Sequence, residues 1–147
     1  MLTHTLITLF KRDLNRLITE IEAYNSEEAL WLITPKISNC SGNLSLHIIG
    51  NLKWFIGAQL GNSGYIRERD LEFSQKGIAK AELINQVRET IQIVENTLQT
   101  VTSQQLQAQF SRGRAEEPMT LEYFLVHLVA HLSYHLWQIN YHRRLLG

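Results

Sequence analysis

Proline stands at only two of 147 positions, Pro35 and Pro118, and the stretches between breakers repeat apolar residues every three or four places. That period belongs to amphipathic helices rather than strands, and it constrains the chain to an all-α fold. The spacing predicts a first helix from about Thr3 to Tyr24, with Leu6, Leu9, Phe10, Leu14, Leu17, Ile18 and Ile21 on one face. A short helical turn is expected within Ser26 to Thr34, ended by Pro35. A second helix should run from near Asn43 to near Gly61, where Gly-Asn-Ser-Gly supplies breakers. A polar connection, Tyr65 to Gly77, carries the sequence RERDLEF.

A third helix is expected from about Lys80 to Thr100, with Leu83, Val87, Ile91, Val94 and Leu98 as its stripe. An irregular stretch, Thr102 to Glu117, contains SRGRAEEP and leads to Pro118, a suitable helix start. The fourth helix then continues from about Thr120 nearly to the end. Four long helices with two lengthy connections predict a four-helix bundle in which some neighbours are not simple antiparallel hairpins. The length suits a single domain over residues 1–147 with a core of its own.

Fourteen Lys and Arg balance fourteen Asp and Glu. Arg67, Arg69, Arg112 and Arg114 are scattered through connections and offset by Glu68, Asp70, Glu116 and Glu117, so no one-signed stripe exists to track phosphates. Nucleic acid and anionic membranes are therefore not expected partners. The single Cys40 excludes an intramolecular disulfide and fits a reducing compartment. No stretch approaches the ~20 apolar residues of a membrane span, and the amino terminus lacks the form of a signal peptide. A cytoplasmic location is the expectation.

Four of six histidines fall in one segment of the last helix, LVHLVAHLSYHLWQINYHRR, and three of them, His127, His131 and His135, recur every four residues. At about 100° per residue, positions 121, 125, 128, 132, 136 and 139 form the inward stripe. His135 and His131 lie on one flank of it, and His127 lies further round. Two imidazoles four residues apart can converge on one ion while a partner helix supplies more ligands. On the second helix Leu44, Ile48, Asn51 and Phe55 define an inward stripe with His47 on its flank.

Such a pair on a helix is more often ordinary packing or surface, and His4 and His142 take that reading. Inward placement of His131, His135 and His47 raises the metal reading to parity, because buried polar rings without partners are costly. Three imidazoles would leave a coordination position open for water or substrate, and they suit zinc, nickel, copper or iron. The pair HLSYH lacks the glutamate of the HExxH helix, which disfavours proteolysis. Glu122 is too far toward the helix start to replace it.

Other residues bear on the same site. Asn51, Gln138 and His127 are candidates to orient a ligand ring or touch substrate, the alternative being groups satisfied by backbone or solvent. Trp54 and Phe55 could line a pocket or be plain core. Arg67, Arg69, Asp70 and Glu72 could clamp an anionic substrate; salt bridges tying the connection to the bundle are the preferred reading. Cys40 is expected to be an inert thiol. The second and fourth helices also show a second apolar side, formed by Leu46, Ile49, Ile56 and Leu60 on one and Tyr123, Ala130, Tyr134, Trp137 and Tyr141 on the other. A helix apolar on two sides is central to its domain or covered by another subunit, and a homodimer is the expectation.

Three segments in order, NLSLHIIGNLKWFIGAQL, RERDLEF and FLVHLVAHLSYHLWQINYHRRLL, resemble the DinB/YfiT-like superfamily of bacterial metalloenzymes, in its branch of little assigned function. The resemblance implies a four-helix bundle, often dimeric, whose nickel- or zinc-type ion is bound by one histidine of the second helix and an HxxxH pair of the fourth. Those roles fall on His47, His131 and His135. Characterised relatives include enzymes that use a low-molecular-weight thiol, such as bacillithiol transferases and mycothiol-dependent maleylpyruvate isomerases. This chain departs from the pattern after His135, reading Leu136-Trp137-Gln138 where many relatives carry Arg-Gly-Gln.

Two functions are therefore in contention. One is a metal-dependent enzyme, with thiol transfer expected before hydrolysis, on a small-molecule substrate that the sequence does not name and with no assigned catalytic residue. The other is a non-catalytic metal-binding or stress-related bundle. Retention of all three histidines favours the first, and the lack of a clear acid or base favours the second.

Overall fold

The computed structural model describes residues 1–112 and 118–147; Arg114, Glu116 and Glu117, and the end of the irregular stretch that contains them, lie outside the described residues. Six helices pack against one another: α1 (Leu2–Glu22), α2 (Ser41–Leu52), α3 (Arg69–Ser74), α4 (Lys80–Leu98), α5 (Ser103–Gln107) and α6 (Leu121–Leu146). A 3-10 turn (Glu28–Trp31) follows α1, and α2 continues as a π-helical segment (Lys53–Leu60). Two short strands, β1 (Gln109–Phe110) and β2 (Met119–Thr120), pair antiparallel with Gln109 opposite Thr120.

The expected apolar stripes are the core. Leu6, Phe10, Leu14, Leu17 and Ile21 of α1, Leu83, Val87, Val94 and Leu98 of α4, and Leu125, Leu128, Leu132 and Ile139 of α6 are almost wholly removed from solvent. Burial on this scale, at about 25 cal/mol per Å² of apolar surface, holds the four long helices together. The start of α6 is fixed locally by Thr120, whose hydroxyl accepts from the Tyr123 amide at 3.1 Å. The turn before α5 carries a capping box between Thr102 and Gln105.

Helix order and direction explain the long connections. α1 packs against α4 and α6, and α2 packs against the same two, so α1 and α2 occupy opposite corners. Lys11 meets Glu95 while Lys80 meets the Tyr24 carbonyl, which makes α1 and α4 antiparallel. Glu20 meets Asn140, and Asn25 meets the carbonyl of Gly147, so α1 and α6 run parallel. Lys53 pairs with Glu89, Gly57 faces Ile93 and Gly61 faces Thr97, in step along a parallel α2 and α4. Parallel neighbours cannot be joined by a hairpin. Residues 61–79 must instead travel back along the bundle, and α3 lies on that return path against α2.

The return path corrects one expectation. Every residue of α2 from Ser41 to Leu52 is buried within this chain, Leu46 and Ile49 included, and Ile56 of the π segment is fully buried. α2 is central because α3, α4, α6 and the 3-10 turn surround it, so its two apolar sides need no second subunit. The outward face of α6 is different: Tyr123, Tyr134, Trp137 and Tyr141 are each at least 60% exposed.

The connection segments also differ from expectation, since α3 and α5 form where irregular chain was expected. Short helices of five or six residues gain little from propensity and form here through tertiary packing, which leaves no periodic signal in the sequence. His142 is core rather than surface. Its Nδ1 lies 2.6 Å from the Tyr24 hydroxyl and its Nε2 2.9 Å from the Leu32 carbonyl. The carbonyl can only accept, so Nε2 donates to it, and in the neutral ring Nδ1 accepts from Tyr24. Ser41 lies 2.6 Å from the same hydroxyl, which ties the ends of α1 and α6 to the start of α2. Cys40 is buried, its thiol 2.9 Å from Asn43 Oδ1. Among the described residues no helix is long and apolar enough to cross a membrane.

Candidate metal centre

α2 and α6 are antiparallel neighbours, and their facing flanks bring His47, His131 and His135 together. His131 and His135 share one face of α6, four residues and one turn apart. The Nε2 atom of His131 lies 3.2 Å from Nε2 of His47 and 3.1 Å from Nε2 of His135. Three donor atoms of this group fall within 4.8 Å of one another, a set that could hold a metal ion.

The outer nitrogens decide which atoms face the centre. His47 Nδ1 lies 2.9 Å from Glu72 Oε1, and His135 Nδ1 lies 2.7 Å from Gln138 Oε1. Burial alone would raise the Glu72 carboxyl's pKa, but hydrogen bonds from Arg67 and His47 outweigh it and hold the group below its ordinary value. An ionised carboxylate and an amide oxygen only accept, so both Nδ1 atoms carry hydrogens. In the neutral rings the Nε2 atoms of His47 and His135 are therefore bare lone pairs. A single hydrogen on His131 Nε2 could satisfy only one of them well.

Three inward nitrogens with at most one hydrogen suit an electrophile at their centre. Ligands about 2.1 Å from a tetrahedral ion lie about 3.4 Å apart, close to the separations seen. Burial pushes the His131 pKa down to about 3, with further repulsion from His135, His47, His127 and Arg67. Burial also lowers that of His135, against the opposing bond to Gln138. Burial thus favours neutral rings at His131 and His135, the form that binds metal.

Glu72 reaches His47 through the chain's return path. Arg67 grips the same carboxylate with two bonds, Nε to Oε2 at 2.9 Å and a terminal nitrogen to Oε1 at 2.9 Å. This is the salt bridge expected of RERDLEF, with an added purpose: the carboxylate it holds orients a candidate ligand. Asp70 is exposed, and Arg69 stacks over Phe73 at 5.2 Å. Sequence reasoning missed Glu72 as a partner of His47, because nothing in its spacing reveals the parallel α2 and α4 that bring α3 back.

The remaining candidates separate by position. Gln138 bonds His135. His127 is exposed, with its ring centroid 6.3 Å from that of His131, and stands beside the cluster rather than in it. Asn51 is buried one turn beyond His47, and its Oδ1 has no partner among the described residues. Both His127 and Asn51 line a cavity of about 190 Å³ that opens on His47 and His131 and is bounded by Phe55, Phe124 and three arginines. Phe55 lies in the π segment and meets Phe124 edge-on at 4.9 Å. Trp54 does not line this cavity. π segments recur at functional sites.

No curated protein matches the chain. A family profile described as "Protein of unknown function (DUF1572)" matches residues 4–147, including all three histidines. The chain is therefore a member of the DUF1572 family.

Proposed function

We propose that the protein is a metal-dependent enzyme in which His47, His131 and His135 bind one divalent ion, nickel or zinc, through their Nε2 atoms. The observation that carries this reading is the convergence of three Nε2 atoms while Glu72 and Gln138 occupy the Nδ1 hydrogens of two of the rings. A divalent ion there would lower the pKa of a coordinated thiol or water and supply a nucleophile at neutral pH. The chain's own residues orient the His47 and His135 rings, favour the neutral form of His131 and His135, and leave a cavity beside His47 and His131 where substrate can enter.

The resemblance to the DinB/YfiT-like superfamily supports the same assignment and adds the reaction class: thiol transfer with a low-molecular-weight thiol, ahead of hydrolysis. Elemental analysis of protein purified without a histidine tag tests the metal. About one nickel or zinc per chain is expected in the wild type, and a large loss in His131→Ala. Wild-type protein that stays metal-free when offered either ion would overturn the reading. Loaded protein with no thiol-dependent turnover of electrophilic small molecules would instead favour a non-catalytic metal-binding bundle.

A further inference from the structure

The polar side chains of α2 other than Asn51 have partners within the chain. Ser41 meets the Tyr24 hydroxyl, Asn43 donates to the Glu72 and Gln75 carbonyls, Ser45 donates to the Ser41 carbonyl, and His47 meets Glu72. Asn51 is different: it is only 7% exposed, and its Oδ1 has no partner among the described residues. A buried acceptor left unmet is costly. Asparagine is also a poor helix former, since its amide competes with the helix for local hydrogen bonds. Leu44 and Ile48 fill the preceding positions of the same inward stripe and are buried, so packing alone favours an apolar residue at 51.

What Asn51 does adjoin is the cavity beside the histidines. It lines that space with His47 and His131, together with the apolar Phe55, Phe124 and Leu128. The final torsion of an asparagine side chain is broad, so a turn of the amide brings Oδ1 to the cavity without moving α2. The volume of about 190 Å³ falls below the usual range for drug-sized ligands, about 300–1,000 Å³, which limits the occupant to a small molecule. A hydroxyl or amine on that molecule supplies the donor that the chain does not.

We infer that Asn51 is a specificity-determining residue of the histidine site, its Oδ1 accepting a hydrogen bond from a hydroxyl or amine of the ligand that reaches the ion. The inference rests on the reading of His47, His131 and His135 as metal ligands, and it names the substrate class of that site: a small molecule with a hydrogen-bond donor on its body. A site that hydrogen-bonds a ligand's donor discriminates strongly against the analogue that lacks it, because the site's own polar group is then left unpaired.

Two thiols of matched size test it, 2-mercaptoethanol and 1-propanethiol, in which a methyl replaces the hydroxyl. Each is titrated calorimetrically into metal-loaded protein. Asn51→Leu, similar in volume and apolar, should shift the ratio of the two affinities roughly tenfold toward propanethiol, as loss of one buried hydrogen bond implies, with metal content unchanged. Urea unfolding of chelator-treated protein gives a readout that needs no metal: Asn51→Leu should unfold at the same urea concentration as the wild type or a higher one. A ratio that Asn51→Leu does not move overturns the inference even where metal binding holds, and leaves the amide to water. A variant less stable than the wild type, or one that fails to fold, overturns it too, because Asn51 would then serve the fold. Wild-type protein that takes up neither nickel nor zinc removes the metal reading, and the urea comparison alone then decides whether Asn51 faces a ligand or serves the fold.

Discussion

Gly50 makes room for Glu72. A methyl group built on Gly50 would meet the carboxylate, with Cδ at 2.6 Å, so the absence of a side chain one turn beyond His47 is what lets Glu72 come within 2.9 Å of His47 Nδ1. Gly50→Ala should displace Glu72 and release the imidazole. Overpacking a filled site costs about 1–3 kcal/mol, offset in part by the roughly 1 kcal/mol by which alanine exceeds glycine in a helix. The larger effect is expected on the metal: a 10–100-fold loss of affinity, typical of removing the group that orients a ligand histidine. Competition with a chromophoric chelator measures it, and unchanged affinity would show that Glu72 does not position His47.

Gln138 offers the complementary test at an exposed position. Its Oε1 accepts from His135 Nδ1 at 2.7 Å, and its side chain bears little of the fold. Gln138→Ala should leave the thermal unfolding midpoint within a degree or two while lowering metal affinity about tenfold. Gln138→Glu, which keeps the acceptor, should restore most of that affinity. Failure of the glutamate to do better than alanine would remove the orienting role.

The difference between these two positions shows what the sequence could and could not disclose. Gln138 sits three residues beyond His135 on the same helix, so helical arithmetic alone brings them together. Glu72 is 25 residues from His47 and reaches it only because α2 and α4 are parallel and residues 61–79 run back along α2. Apolar periodicity located the long helices and the inward flank of α6 because burial is written into every third or fourth residue. Helix direction and the course of a connection are set by packing between distant segments. The same blindness made α2 look like a subunit interface, since a helix covered by its own chain and one covered by a partner carry the same pattern.

Acid should destabilise the metal-free protein through His131. Burial and neighbouring positive charge hold its folded pKa near 3, against an ordinary 6.5. Between these values the unfolded chain takes up a proton that the folded state refuses, so the stability contribution is fully present above about pH 6.5 and is lost as pH falls toward 3. The slope has a ceiling of about 1.4 kcal/mol per pH unit for one proton, reduced by the ring's partial exposure to solvent. His135, lowered in the same direction, adds to it. Urea midpoints of chelator-treated protein at pH 7.5, 6 and 5 should decline, and His131→Ala should flatten the decline. A wild-type midpoint constant over this range would contradict the burial of a neutral ring.

The outward face of α6 supplies the last expectation. Tyr123, Val126, Tyr134, Trp137, Tyr141 and Leu145, spaced to recur on one side of the helix, are all exposed in the single chain. Scattered surface apolar groups need no explanation, but a continuous aromatic stripe marks an interaction surface. A second copy of the chain is the partner expected, joined across a two-fold axis that sets α6 against α6. Trp137 sits between Tyr134 and Tyr141 on that stripe, where large aromatics concentrate binding energy. Light scattering behind a sizing column should return a dimer at micromolar concentration. Trp137→Arg should return a monomer with its metal content intact, since Trp137 is outside the three-histidine group. A wild-type monomer would leave the stripe to some other partner, and a dimer indifferent to Trp137→Arg would place the interface elsewhere.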